Sequence, residues 1–147
     1  MRNLTVVAAS VALAGCGIGP VAERAPDGGL LRCPAAPHCV SSLDTDAHHV
    51  EPLKYAGGAA QAQAKLVQVI QTEPRMRVTE NQPAYVHAEA TSLLLRFVDD
   101  VQLKFRAEAG LIDVRSCSRV GYSDLGANRA RVEKLRQDFE TPSSSIR

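Results

Sequence analysis

Val101-Gln102-Leu103-Lys104-Phe105, Ala107-Glu108-Ala109-Gly110 and Leu111-Ile112-Asp113-Val114 together form the stretch from which the fold follows. Apolar and polar residues alternate on both sides of a short turn that ends in glycine, the pattern of an antiparallel hairpin with one buried face. Leu95, Phe97, Val101, Leu103 and Phe105 are read onto one face of the first strand, and Ile112 and Val114 onto the same face of the second. Opposing Phe105 to Ile112 and Leu103 to Val114 sets the register, because a slip of one residue would turn every apolar side chain outward. Lys104 then faces Asp113 on the other surface, an opposite-charge pair that plays no part in choosing the register.

Before the hairpin, Met76 to Glu80 and Ala84 to Thr91 read as two more strands, the second alternating Val86, Ala88 and Ala90 with Tyr85, His87 and Glu89. Earlier still, Ala62, Leu66, Val69 and Ile70 recur at helical spacing between Gly57-Gly58 and Pro74, predicting a helix over Ala59 to Thr72. After the hairpin, Ser123-Asp124 offers an N-cap, and Leu125, Asn128, Val132, Leu135 and Phe139 form one stripe of a second helix. Lys134 and Arg136 suit its C-terminal dipole. The order helix, four strands, helix predicts an α+β fold, a two-layer sandwich of about four antiparallel strands with both helices packed on one face.

At the N-terminus, Arg2, an apolar run from Leu4 to Leu13 and Leu13-Ala14-Gly15-Cys16 resemble a bacterial lipoprotein signal with its lipobox. The run is too short to span a bilayer. The expected domains are therefore a signal peptide over 1–15, a Gly/Pro-rich flexible tether over 16–32, an α+β domain over 33–140 and a disordered tail over 141–147. The resemblance implies acyl chains on Cys16, each contributing roughly 0.8 kcal/mol per buried CH₂. It places the protein in the cell envelope, on the outer membrane facing the periplasm, since Gly17 stands where an inner-membrane retention signal would have aspartate.

Removing residues 1–15 from the 147 leaves 132, enough for one domain, with sixteen Lys/Arg against sixteen Asp/Glu. That balance suggests neither nucleic acid nor an anionic membrane surface as partner. Trp is absent and Tyr plus Phe total six, which disfavours stacking platforms. Cys33 and Cys39 bracket Pro34-Ala35-Ala36-Pro37-His38, a stiff turn that favours a disulfide in an oxidising compartment. Two unpaired thiols, or a metal held with His38, His48 and His49, are the alternatives; the cysteine spacing is not that of a zinc knuckle, and no metal or cofactor is expected. Cys117 is then the odd thiol on a strand.

Polar residues interrupt the apolar pattern in one neighbourhood. Asp99 falls on the apolar face of its strand, Ser116 and Ser118 continue that face on the next, and Asn128 interrupts the helix stripe. The register sets Ser118 opposite Asp99. Buried polar groups must be satisfied, so these four are expected to form a network or line a cavity; a β-bulge at Asp99-Asp100 would instead turn one carboxylate outward. Arg115 to Arg136 holds six Lys/Arg against Asp124 and Glu133. Arg115, Arg119 and Arg129, with Asp100, Tyr122 and Asp124, are candidate ligand-binding residues for a small anion or an envelope protein; Arg131 flanks the same helix seam.

Cys39-Val40-Ser41-Ser42, Arg96-Phe97-Val98-Asp99-Asp100-Val101 and the run from Val114 to Arg129 resemble the bacterial family known as domain of unknown function 1499, over about Cys33 to Phe139. The resemblance implies a soluble domain or lipoprotein of unassigned activity. Cys117 stands where that pattern commonly has alanine, which argues against an essential thiol there. No Gly-x-Ser-x-Gly, His-Glu-x-x-His, phosphate-binding glycine loop or Cys-x-x-Cys occurs. A non-catalytic binding module, attached to the membrane by its lipid, is the leading expectation. The alternative is an envelope hydrolase with His87 as base, Glu89 or Asp100 orienting it, and Ser41 or Ser42 as nucleophile.

Overall fold

The computed structural model describes residues 22–141. The expected signal peptide, the expected acylation site at Cys16, the first part of the expected tether and residues 142–147 lie outside the described residues. Within them the chain forms β1 (Cys39–Ser41), β2 (Leu53–Lys54), α1 (Ala59–Thr72), β3 (Met76–Gln82), β4 (Tyr85–Thr91), β5 (Val98–Arg106), β6 (Leu111–Ser118) and α2 (Ala127–Glu140). The sheet is antiparallel, with order β1-β6-β5-β4-β3 and β2 also paired to β6.

The fold is therefore α+β with two helices, but the expected four strands and helix-first order are overturned. β1 and β2 precede α1, and both lie against β6. Strands of three and two residues carry too little alternation to be read from sequence. They are held there because β6, buried along most of its length, would otherwise expose a row of unpaired backbone groups.

The central hairpin has the expected register, with Phe105 opposite Ile112, Leu103 opposite Val114 and Lys104 opposite Asp113. The ion pair itself shifts by two residues. Asp113 takes Arg106 at 2.8 Å and the Ser42 hydroxyl at 3.2 Å, and Lys104 is not its partner. The turn is a single 3-10 turn over Ala107–Ala109 that closes on Gly110 at φ 63°, a left-handed conformation suited to glycine.

One face of the sheet and both helices share a single core. Leu66 and Ile70 of α1 and Val132, Leu135 and Phe139 of α2 pack with Val86, Val101, Leu103, Ile112 and Val114. Each such side chain contributes about 1.5–3 kcal/mol by leaving water. α1 stops at Glu73, whose extended backbone is what the following Pro74 requires.

Leu95, Phe97 and Leu125, expected on the core face, are exposed instead, Leu125 at 96%. β5 begins only at Val98, because Ser92 closes a loop on Phe97, donating from its backbone N–H at 2.8 Å and accepting through its hydroxyl at 2.8 Å. Leu125 and Gly126 both adopt positive φ, so α2 starts at Ala127. The outer face differs from expectation too: Tyr85, His87, Asp100 and Gln102 are buried there, not solvated. Their cover includes the described part of the stretch read as a tether. Arg24 stacks 4.3 Å over the Tyr85 ring and pairs with Glu80, the Glu23 carbonyl accepts from Gln102, and Leu30 is buried.

Candidate functional site

The polar residues singled out in sequence separate into two clusters on opposite sheet faces. β5 keeps continuous register with both neighbours, so Asp99 points to the helices and Asp100 to the outer face; no bulge occurs there.

On the inner face the network is closed. Asn128, fully buried, accepts from the Ser116 hydroxyl at 2.6 Å and from Arg131 at 2.6 Å, and donates to Ser118 and to the His38 carbonyl, each at 3.0 Å. Arg131 continues to Asp99 at 2.6 Å. Asp124 caps the start of α2, accepting from the backbone N–H of Gly126 and of Asn128 at 2.9 Å. Burial alone would raise the Asp124 carboxyl, but those N–H donors outweigh it and hold it below its ordinary value. Arg129 donates to the carbonyls of His49 and Ala47 at 2.7 Å, clamping the loop after β1. These residues lock α2, β1 and the sheet together.

On the outer face, His87 is 5% exposed and lies between Thr79 and Asp100. Its Nε2 stands 2.8 Å from Asp100 and its Nδ1 2.6 Å from the Thr79 hydroxyl. A carboxylate can only accept, so Nε2 carries a proton, and in the neutral ring Nδ1 accepts from Thr79. Thr79 reaches this position because β3 bulges between Val78 and Glu80. Arg119 donates to both oxygens of Asp100 and to Glu89, at 2.7–2.8 Å. Burial would raise Asp100, yet the hydrogen bonds from Arg119 and His87 prevail and hold it low. Glu89 is lowered by Arg77 and then by Arg119.

Arg115 shares this face. Among the described residues its partner is the Gln102 amide oxygen at 3.1 Å and its buried Nε has none, and burial lowers its affinity for the proton. Ser41 and Ser42 do not approach His87. Ser41, Arg115, Gln102 and His87 sit in successive register, three strands apart, about 14 Å at the usual strand spacing. Ser41 accepts from the Leu43 N–H, and Ser42 donates to Asp113.

Sequence reading missed the residues with unengaged charge. A cleft of about 290 Å³ is lined by Arg75, Met76, Arg77, Glu89, Thr91 and Arg96. Arg77 pairs with Glu89, whereas Arg75 and Arg96 have no acidic partner among the described residues. Both adopt left-handed backbone, φ 64° and 53°, a conformation costly for arginine and concentrated at functional positions. Arg96 belongs to the loop that exposes Leu93, Leu94, Leu95 and Phe97, and the backbone of Arg119 joins Val98 at 3.1 Å, bringing the loop of Val120, Tyr122 and Leu125 to the same end of the sheet. Pro74 and the Leu-Leu-Leu run were the available signals.

Cys33 and Cys39 come together as expected, with Cα atoms 5.6 Å apart; Cys117, expected as a lone thiol, meets the same Cys39 across the sheet.

A family model described as "Protein of unknown function (DUF1499)" matches residues 29–139, most of the chain. No curated protein matches it.

Proposed function

We propose that this chain, which belongs to the DUF1499 family of proteins of unknown function, is a lipid-anchored envelope module that holds a partner protein at the arginine-lined, leucine-tipped end of its sheet. The observation that carries this reading is the cleft at Arg75, Arg77 and Arg96 beside Leu93-Leu94-Leu95. Contiguous exposed leucines mark contact surfaces, and free guanidinium groups hold carboxylates by paired hydrogen bonds. The partner surface is therefore an acidic side chain set among apolar ones.

Arg119, Arg129 and Arg131 are engaged internally and Arg115 meets the neutral Gln102 amide, which supports reading that patch as scaffold. A protein suits the site better than the bilayer does, because the described chain starts against Tyr85 and Gln102 while the leucine loop lies beyond Thr91. Those ends of β4 are about 20 Å apart, so the leucine loop and the start of the described chain lie at opposite ends of the strand.

A photoreactive residue at position 94, introduced in cells, is expected to give one discrete protein adduct that disappears in Arg75→Glu/Arg96→Glu. Labelling of lipid alone, or adducts indifferent to the charge reversal, would overturn the reading. The anchor is tested separately: Cys16→Ala should release the protein from membranes, and unchanged fractionation would refute acylation.

The hydrogen-bonded line Thr79–His87–Asp100 favours a second reading, an envelope hydrolase in which His87 takes the Thr79 proton as that hydroxyl attacks. A phosphonylating probe should then modify Thr79 in the parent protein and not in His87→Ala; no adduct in the parent excludes it.

A further inference from the structure

Cys33, Cys39 and Cys117 bring their three sulfur atoms within 4.8 Å of one another. Cys39 lies within bridging reach of both others, at Cα separations of 5.6 Å and 4.0 Å, yet one sulfur can hold only one disulfide. Once one bridge forms, the third cysteine is left as a thiol beside it. We propose that this cluster is a thiol–disulfide exchange site in which buried Cys39 alternates between Cys117, inside the sheet, and Cys33, at the surface.

The surroundings suit that chemistry. Cys39 and Cys117 are buried and directly opposed on β1 and β6, whereas Cys33 is partly exposed. Asp44 accepts from the Cys33 N–H at 3.0 Å and holds that residue over Cys39. Arg115 and Arg119 flank Cys117 on its own strand face. Asp100 stands opposite Cys117 and is neutralised by Arg119, whereas Arg115 meets the neutral Gln102 amide among the described residues, so its guanidinium charge favours a thiolate at Cys117.

In the exchange, Cys117 gives its proton to water and its thiolate attacks Cys39 Sγ. The Cys39–Cys117 bond forms, the Cys33–Cys39 bond breaks, and the electron pair leaves on Cys33, which takes a proton from water. One disulfide replaces another, so no oxidant or reductant is consumed. The freed Cys33 thiolate faces solvent and reacts with outside disulfides: it displaces one thiolate from the reagent and keeps the other half as a mixed disulfide.

The Cys16→Ala chain, oxidised and divided between acid quench and incubation at pH 8 with N-ethylmaleimide, tests this by non-reducing peptide mapping. Quenched protein should yield both the 33–39 and the 39–117 cross-linked peptides. Alkylation should collect on Cys33 and drive the whole sample to the 39–117 form. Cys117→Ser should leave no alkylatable thiol, Cys33→Ser should hold the 39–117 bridge, and Arg115→Gln should slow alkylation roughly 3- to 10-fold. Cys33→Ser should also melt above Cys117→Ser, because a bridge across 78 residues constrains the unfolded chain more than one across six. A single linkage in both samples with label on one unchanging residue, three thiols that all alkylate, or a metal that chelator removes from the cysteines would each overturn the proposal.

Discussion

Ser116 donates its hydroxyl to the Asn128 amide oxygen at 2.6 Å, joining β6 to α2 through a residue with no solvent exposure. The pair belongs to a chain that runs from Asp99 through Arg131 to Asn128 and on to the His38 carbonyl. Replacing Asn128 by leucine takes the acceptor from the buried Ser116 hydroxyl, the shorter of two contacts from an Arg131 N–H and the donor from the Ser118 hydroxyl, while the His38 carbonyl keeps the Ser118 N–H. The expected cost is about 2–5 kcal/mol, read as a lower urea midpoint with unchanged slope.

Acid should weaken the fold through the outer cluster. Asp100 and Glu89 are held below their ordinary values, Asp100 because Arg119 and His87 outweigh its burial, Glu89 chiefly through Arg77. A carboxylate depressed in the folded state stabilises it above the unfolded value, about 4, and loses that contribution as pH falls through the folded value. Urea titrations at pH 7, 5, 4 and 3 should show the loss at the acid end. Arg119→Gln should be less stable at pH 7 and show a flatter pH profile.

Gly110 combines φ 63° with a Tyr55 carbonyl only 3.1 Å from where a Cβ would stand. Tyr55 also donates its N–H to the Gly110 carbonyl at 3.0 Å, which fixes that approach. Gly110→Ala should therefore destabilise by about 1–3 kcal/mol; calorimetry would show a lower Tm, while crosslinking from position 94 stays as it was.

Arg96 holds φ 53° in an exposed loop. Arg96→Gly relieves that strain and removes the guanidinium in one change, so stability should rise or hold within about 1 kcal/mol. Crosslinking from position 94 should nevertheless fall. A loss of both together would mean that the arginine supports the loop rather than a partner.

The hairpin register was legible because Leu103, Phe105, Ile112 and Val114 have only one alignment that buries them all, and the inner network followed once Ser118 stood opposite Asp99. α1 was legible from a clean stripe between glycine and proline. β1 and β2 were not, since three and two residues show no period. The burial of His87 was not legible, because alternation reports which face a side chain takes, not what covers that face.

Local periodicity and charge along the chain were thus sufficient for the two helices, the four longer strands and the polar seam, since each depends on neighbours a few residues away. Arg119 closing on Asp100, Thr79 reaching His87 through a bulge, three cysteines meeting in one cluster, and Arg75 with Arg96 left without an acidic partner among the described residues all came from packing between separate segments. Burial and the satisfaction of polar groups are properties of the assembled surfaces, so they were settled only when the sheet, the segment of Glu23 and Arg24 that covers it and its helices met.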